Sequence, residues 1–312
     1  MGAAQGGRGH RAVLTAVPRS WLVTGARGQL GRDLVRLLEQ RAGDEVLGLG
    51  RAELDLGEEQ QVRTTVRGWL DRAQEQGRQA VCLNAGAYTA VDAAETDELT
   101  ARRVNGDAPG WLAEELAGRG RLVHVSTDYV FDGTATRPYP VDAPVAPRTA
   151  YGRTKALGEQ AIAGVCSASG ADAVVVRTAW VWSPHGANFV TTMLRLAGER
   201  DAVSVVDDQV GAPTLSADLA AGLIAVGELP APVPPVLHLT NAGEVSWYGF
   251  ARAVFGEAGL DPDRVGPIST AEFARPAPRP AYSVLDLSAW VAAGLPAPRA
   301  WTDALREGLR SA

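Results

Sequence analysis

The amino-acid sequence predicts a doubly wound α/β fold, and three observations carry that reading. From residue 20 to about 182, short apolar strands alternate with helical stretches of ten or more residues, the pattern that builds right-handed βαβ units around a parallel sheet. A glycine-spaced turn joins the first strand to the first helix. With 312 residues, 46% of them hydrophobic and 21% charged, the chain has the composition of a globular protein with a real core, which excludes disorder as its main state.

The elements follow in order. Residues 1–19 are rich in Gly, Arg and Ala without periodicity and read as a disordered tail. Trp21-Leu22-Val23 is a strand that runs straight into Gly25-Ala26-Arg27-Gly28-Gln29-Leu30-Gly31. A helix from Gly31 to Gln40 puts Leu34, Leu37 and Leu38 on one face. Val46–Leu49 is a second buried strand, Glu58–Gln76 a helix, and Ala80–Leu83 a third strand. Leu99–Arg119 reads as one helix, Leu122–Val125 as a strand, Tyr151–Val165 as a helix and Ala173–Arg177 as a strand. Beyond residue 182 the alternation loosens. Helices are expected at Asn188–Gly198, Ser216–Val226, Trp247–Gly256 and Trp301–Leu309, strands at Val203–Val206 and Val236–Leu239, and proline-rich connectors at 230–235 and 276–280.

Gly25-x-x-Gly28-x-x-Gly31 lies between a strand and a helix, the context in which this spacing has chemical meaning. The first glycine permits the tight turn, the second lets a pyrophosphate approach the backbone, and the third lets helix pack close to strand. The unpaired N–H groups and partial positive charge of the helix start then face the phosphates. The fold is therefore a Rossmann-type sheet that binds NAD(P), over residues 20–182 and roughly 214–241. A smaller C-terminal α/β part, residues 183–213 and 242–312, is left for substrate.

An acid at the end of the second strand is the usual holder of an NAD ribose. Here Leu49-Gly50-Arg51 has none, so Arg51 is the candidate partner of a 2′-phosphate and NADPH is favoured over NADH. Asp55-Leu56 follows, where a carboxylate can take the adenine amino group.

Composition narrows the function further. Net charge is −6, which offers no electrostatic footprint for nucleic acid. Cys82 and Cys166, the two cysteines, cannot form a disulfide framework, and no apolar run approaches the ~18–20 residues of a membrane span. A soluble cytoplasmic protein is expected. Of the 30 basic residues, 29 are arginine and one is lysine, Lys155. A lone lysine among arginines marks a place where a compact ammonium is needed.

Lys155 follows Tyr151 by four residues on an expected helix, so both side chains share a face. An ammonium beside a phenol favours the phenolate and lowers its pKa, which suits proton transfer near neutrality. Thr127, at the end of the preceding strand, is placed to donate a hydroxyl hydrogen bond to a substrate carbonyl. His124 and His238 fall in strand patterns and read as satisfied core residues; no metal-ligand spacing appears.

These residues together resemble the extended short-chain dehydrogenase/reductase superfamily and, within it, the dTDP-4-dehydrorhamnose reductases. The resemblance runs from about residue 21 to the C-terminus. It rests on GQLG (28–31), NAGAYTAVDAAE (84–95), STDYVFDG (126–133), YGRTKALGE (151–159), RTAWVW (177–182), NFVTTMLRLA (188–197), DDQVGAPT (207–214) and RPAYSVL (279–285). It implies Tyr151 as proton donor, Lys155 as its partner and Thr127 as the hydroxyl that tunes them. It also implies Gly28, Gln29 and Leu30 on the pyrophosphate, Asp55-Leu56 at the adenine, and Ala87, Tyr88 and Thr89 along the nicotinamide. Asp128 and Trp180 would touch a dTDP-sugar. Spacing alone would make Trp180 a core aromatic. The implied reaction is reduction of the C4 keto group of dTDP-4-dehydro-L-rhamnose. The alternatives are a 4-ketoreductase for another dTDP-deoxysugar, of an antibiotic or streptose-type pathway, and a non-catalytic regulatory subunit. Gly50 stands where some members carry an acidic ribose ligand, which leaves the choice between NADPH and NADH open. Some members form a homodimer through acidic residues and Mg2+; Asp33 replaces a glutamate of that set, which speaks against a metal-bridged dimer.

Overall fold

The computed structural model describes residues 17–310. Along the chain run β1 (Arg19–Thr24), α1 (Gln29–Glu39), β2 (Glu45–Leu49), α2 (Glu59–Glu75), β3 (Gln79–Asn84), α3 (Val91–Ala94), α4 (Glu98–Arg102), α5 (Ala108–Leu116) and β4 (Gly120–Thr127). Next come α6 (Ala150–Ser169), β5 (Asp172–Thr178), β6 (Val181–Trp182), α7 (Phe189–Glu199), β7 (Val203–Val206), β8 (Val210–Gly211), β9 (Thr214–Leu215) and α8 (Ser216–Glu228). β10 (Val236–His238), β11 (Val245–Ser246), α9 (Trp247–Glu257), β12 (Val265–Ile268), α10 (Ser288–Ala292) and α11 (Trp301–Arg310) complete it.

Six strands form one parallel sheet in the order β2-β1-β3-β4-β5-β10. The chain places β2 on one side of β1 and β3 on the other. The order therefore reverses at β1, and a crevice opens there at the carboxyl ends of the strands, the general place for a ligand in an open α/β sheet. Period-two alternation sorts the strand residues between two cores. Trp21 and Val23 face Leu34, Leu38, Leu219 and Leu223 of α1 and α8. Leu22 and Cys82 face Val66 and Trp69 of α2, Leu112 of α5 and Ile162 of α6. Burial pushes the Cys82 thiol up to about 12, so it is a small apolar filler rather than a nucleophile. A third core lies beyond the sheet, where Trp182, Val190, Met193, Phe250, Phe255 and Leu305 join α7, α9 and α11 over the parallel pair β7–β12.

Three expectations change. β1 begins at Arg19, one residue inside the expected tail, most of which lies outside the described residues. The first helix starts at Gln29 rather than Gly31, because the Gly28 N–H closes the turn on the Gly25 carbonyl (2.9 Å) and the Arg32 N–H already reaches Gly28. The single helix expected over Leu99–Arg119 is α4 and α5 joined by a π-helical turn, Arg103–Asp107. Pro109 has no N–H to give the Asn105 carbonyl four residues earlier, and the helix widens where that bond is missing. α6 seats itself on this spot: a Cβ at Gly158 would stand 2.2 Å from the Asn105 oxygen.

Candidate active site

The glycine turn is built as its spacing requires. Gly25 has φ +65°, and a Cβ there would meet the Gly86 backbone at 2.7 Å. A Cβ at Gly31 would stand 2.1 Å from the Gly25 oxygen. Both positions exclude any other residue. Gly28 caps α1 in extended conformation with no side chain over the helix start, so the first-turn N–H groups of Gln29 and Leu30 stay free for an anion. A dinucleotide pyrophosphate fits this cradle. The side chain of Gln29 turns elsewhere, accepting from Asn188 (3.1 Å) and donating to the Ala187 carbonyl (3.3 Å), which ties the loop to the start of α7.

The end of β2 holds more charge than expected. Arg51 is exposed and pairs loosely with Asp55 at 3.5 Å. The other oxygen of Asp55 accepts from the Gly57 N–H. Glu53, passed over in the sequence as a ribose ligand because it lies four residues past the strand end, folds back. One of its oxygens accepts from the Gly50 N–H (2.9 Å) and the other pairs with Arg27 (3.1 Å). The Arg27 bond, partly offset by desolvation, holds the Glu53 carboxyl below its ordinary range. Leu56 is buried and packs where a Cβ on Gly86 would touch it.

At the end of β3, Ala87 and Tyr88 are half-buried and Thr89 exposed. Asn105, in the π-turn, fixes this loop by accepting the Tyr88 N–H (2.8 Å) and donating to the Tyr88 carbonyl (3.0 Å). Tyr88 and Tyr151 lie against one small apolar cluster with Ala94, Ala101 and Ala150, so the loop and α6 come together.

The Thr149 hydroxyl accepts from the Gly152 N–H and starts α6, which places Tyr151 and Lys155 over the end of β4. A Cβ at Gly152 would stand 2.2 Å from the Tyr129 carbonyl, so helix and strand end touch. The Tyr151 ring meets Tyr129 edge-on at 5.5 Å. Desolvation pushes its phenol up to about 12, against the Thr127 hydroxyl, which lowers it. The lowering expected from Lys155 is absent from this geometry. The Lys155 amino group, 1% exposed, donates to the Val125 carbonyl (2.6 Å) and lies 3.1 Å from His124 Nε2. Its own pKa falls to about 8, because burial disfavours the ammonium more than Glu159 favours it.

Thr127 donates to Asp128 Oδ1 at 2.8 Å. Asp128 is buried, and its Oδ2 has no hydrogen-bond partner among the described residues. Burial pushes this carboxyl up to about 6, against the Ser283 and Thr127 hydroxyls. Below them, Glu159 accepts from Ser126 (2.5 Å) and forms a buried ion pair with Arg177 of β5 (2.7 Å), which braces α6 against the sheet. Trp180 follows β5 with φ +47° and stacks flat on Trp247 at 3.5 Å. Gly211 leaves it that space. Nothing in the sequence paired these two indoles.

Asp33 lies away from this cluster, held by Ser216 (2.5 Å) and Arg36 (3.3 Å). No group of three or more His, Cys, Asp or Glu arranged to hold a metal ion occurs among the described residues, and no described helix is long and apolar enough to cross a membrane.

A parallel sheet with a glycine cradle at its switch point, and a tyrosine and a buried lysine one turn apart beside it, define a dinucleotide-binding fold of short-chain dehydrogenase type. The model of the RmlD substrate binding domain matches residues 19–312, and the chain belongs to that family. Among its relatives, a probable dTDP-4,6-dihydroxy-2-methyloxan-3-one 4-ketoreductase of Streptomyces antibioticus is 48% identical, over 92% of this chain and 93% of that one. A dTDP-4-dehydrorhamnose reductase of Streptomyces griseus is 46% identical over 92% of each. The crystal structure of dTDP-4-dehydrorhamnose reductase from Bacillus anthracis in complex with NADP superposes with a TM-score of 0.86. It is 30% identical, over 95% of this chain and all of that one.

Proposed function

We propose that the chain reduces the C4 keto group of dTDP-4-dehydro-L-rhamnose with NADPH, giving dTDP-L-rhamnose. The observation that carries this reading is the cluster of buried Thr127, Asp128 and Lys155 with half-buried Tyr151, at the mouth of the same crevice as the glycine cradle. The names of the relatives support the sugar, and the NADP complex supports the cofactor.

The N–H groups of Gln29 and Leu30 would hold the pyrophosphate, Arg51 with Arg27 the 2′-phosphate, Asp55 and Leu56 the adenine, and Ala87, Tyr88 and Thr89 the nicotinamide side. When bound, the cofactor would supply the hydride for C4. As the C4–H bond forms and the carbonyl π-pair moves onto oxygen, Tyr151 gives that oxygen its phenolic proton. Thr127, its one hydroxyl proton turned from Asp128 Oδ1, donates to the same oxygen, and the Lys155 ammonium, which leaves the resting phenol unlowered, acts on the phenolate once it forms. The unpaired Asp128 Oδ2 accepts a sugar hydroxyl, and Trp180 lines the sugar. Residues 183–213 and 242–312 form the substrate side, and contacts to the remote nucleotide hold C4 in line.

A second reading, the same chemistry on another dTDP-deoxysugar, is favoured by the ketoreductase relative. The test is loss of absorbance at 340 nm with NADPH or NADH and enzymatically generated dTDP-4-dehydrorhamnose, with the product identified by NMR. Formation of dTDP-L-rhamnose is expected. Turnover only on another keto-sugar would move the chain to the second reading, and cofactor binding without turnover on either would overturn both.

A further inference from the structure

One row of buried polar side chains is not used by the chemistry above. Sheet register sets Thr24 of β1 beside Asn84 of β3, and Asn84 beside His124 of β4. Thr24 Oγ1 lies 2.6 Å from one end of the Asn84 amide, and the other end lies 2.9 Å from His124 Nδ1. His124 Nε2 lies 3.1 Å from Lys155 Nζ. Each of the four residues is 1% exposed. At its far end the row touches the cofactor cradle, where the Gly86 N–H donates to Thr24 Oγ1 (3.1 Å).

Counting protons assigns a role to the imidazole. Next to a buried ammonium the ring is neutral: burial, and then the charge of Lys155, hold it well below its ordinary pKa. A neutral ring has one N–H and one lone pair, and an ammonium has no lone pair to offer. Nε2 therefore accepts from Lys155. The ring proton sits on Nδ1 and is taken by the Asn84 carbonyl oxygen, with the amide nitrogen turned to Thr24; the two ends of an amide are interchangeable in outline.

We propose that His124 is a positioning residue for Lys155. Its Nε2 and the Val125 carbonyl take two of the three ammonium protons, and the third is left for the ribose or the Tyr151 phenolate. The inference rests on the reading of Lys155 as the cationic partner of Tyr151. It adds that the charge of Lys155 is kept by a neutral acceptor from the neighbouring strand. The other titratable groups around it are Tyr151 and Glu159 on its own helix. Glu159 is in turn held by Arg177 of β5, and Asp128 acts on Tyr151.

The sign of the effect follows. Accepting a hydrogen bond from the ammonium favours the charged form. Replacing His124 by an apolar ring removes that help, the Lys155 pKa falls, and activity is lost at lower pH as the solution is made more basic. In His124→Phe the basic limb of the kcat/KM profile is expected to move down by about one pH unit, with kcat/KM at pH 7.5 reduced roughly threefold. His124→Gln, which keeps a carbonyl acceptor, is expected to return the limb and most of the rate. In the unsubstituted protein, 15N NMR of the imidazole is expected to show the neutral Nδ1–H form between about pH 5.5 and 8.5.

A Phe variant with an unmoved limb, or an Nε2–H or doubly protonated ring in the NMR spectrum, would overturn the proposal. The NMR arm decides even where the Phe variant does not fold. Tyr151→Phe, assayed beside them, separates the two readings. If it keeps the parental rate, the assignment of the site has failed. If it is dead while the His124→Phe limb stays in place, the role given to His124 alone has failed.

Discussion

The two ends of the crevice are built from different materials. At the glycine turn the geometry is held by backbone on backbone: Gly25 on Gly86 and Gly31 on Gly25, with no room for a Cβ. Of the charges around it, Arg27, Glu53 and Arg51 are exposed and Asp55 is half-buried. At the end of β4 the geometry is held by side chains in a dry interior: Lys155 on His124 and Val125, and Glu159 on Ser126 and Arg177. A buried polar contact is expensive to break, and an exposed one is screened. Substitutions at the two ends should therefore differ in size, and in what they change.

The largest effect falls at the buried end. Tyr151→Phe removes one proton donor and little volume, so the fold should stand while kcat/KM drops by about 10^2 to 10^4. Circular dichroism with the 340 nm assay checks both halves, and a drop that came with unfolding would break the comparison. Next is Glu159→Ala, which leaves Arg177, with 5% of its side chain exposed, as an uncompensated buried charge. Loss of such a partner costs about 3–5 kcal/mol, read as a lower urea midpoint.

How far these ends were legible in the sequence follows from how local each is. The glycine turn needs only seven consecutive residues, and Tyr151 with Lys155 needs one helical turn, so spacing alone placed both. The Thr24–Asn84–His124 row depends on the register of three strands, with steps of 60 and 40 residues along the chain, and His124 read as an ordinary core residue. Glu53 escaped because its side chain runs backward to Gly50, against the direction in which strand ends are searched. The break in the helix after Leu99 did carry a signal, Pro109, whose missing N–H falls where the π-turn forms. For the Trp180–Trp247 stack there was none, since the two rings stand 67 residues apart in the chain and meet only in the folded structure.

A smaller effect separates the carboxylates. Asp128 is raised to about 6 from 3.8, chiefly by burial. A folded pKa above the unfolded one means that the native state binds the proton more tightly. Its contribution is therefore present below about pH 4 and is lost as pH rises through 6. Asp128→Asn should abolish this slope. The stability of the variant relative to the parent should improve by about 2–3 kcal/mol between pH 4 and pH 7. Urea unfolding of both proteins at the two pH values measures the difference, and parallel curves would show that the carboxyl is solvated.

The smallest effect is expected at the exposed end, and it should alter choice rather than strength. Glu53 occupies Arg27 and presents a negative charge at the end of β2, where a 2′-phosphate would need a cation and a ribose hydroxyl an acceptor. Removing that charge in Glu53→Gln frees Arg27 for NADPH and weakens the acceptor for NADH. The ratio of kcat/KM for NADPH over NADH should rise on the order of fivefold, and the gain should shrink in high salt because both partners are exposed. The melting temperature should not move. An unchanged ratio would mean that Arg27 and Glu53 stay clear of the ribose, and the specificity would then have to come from Arg51 alone. A fall in stability instead would make the Glu53–Gly50 bond a structural clasp, and the contrast between the two ends would narrow to the charges alone.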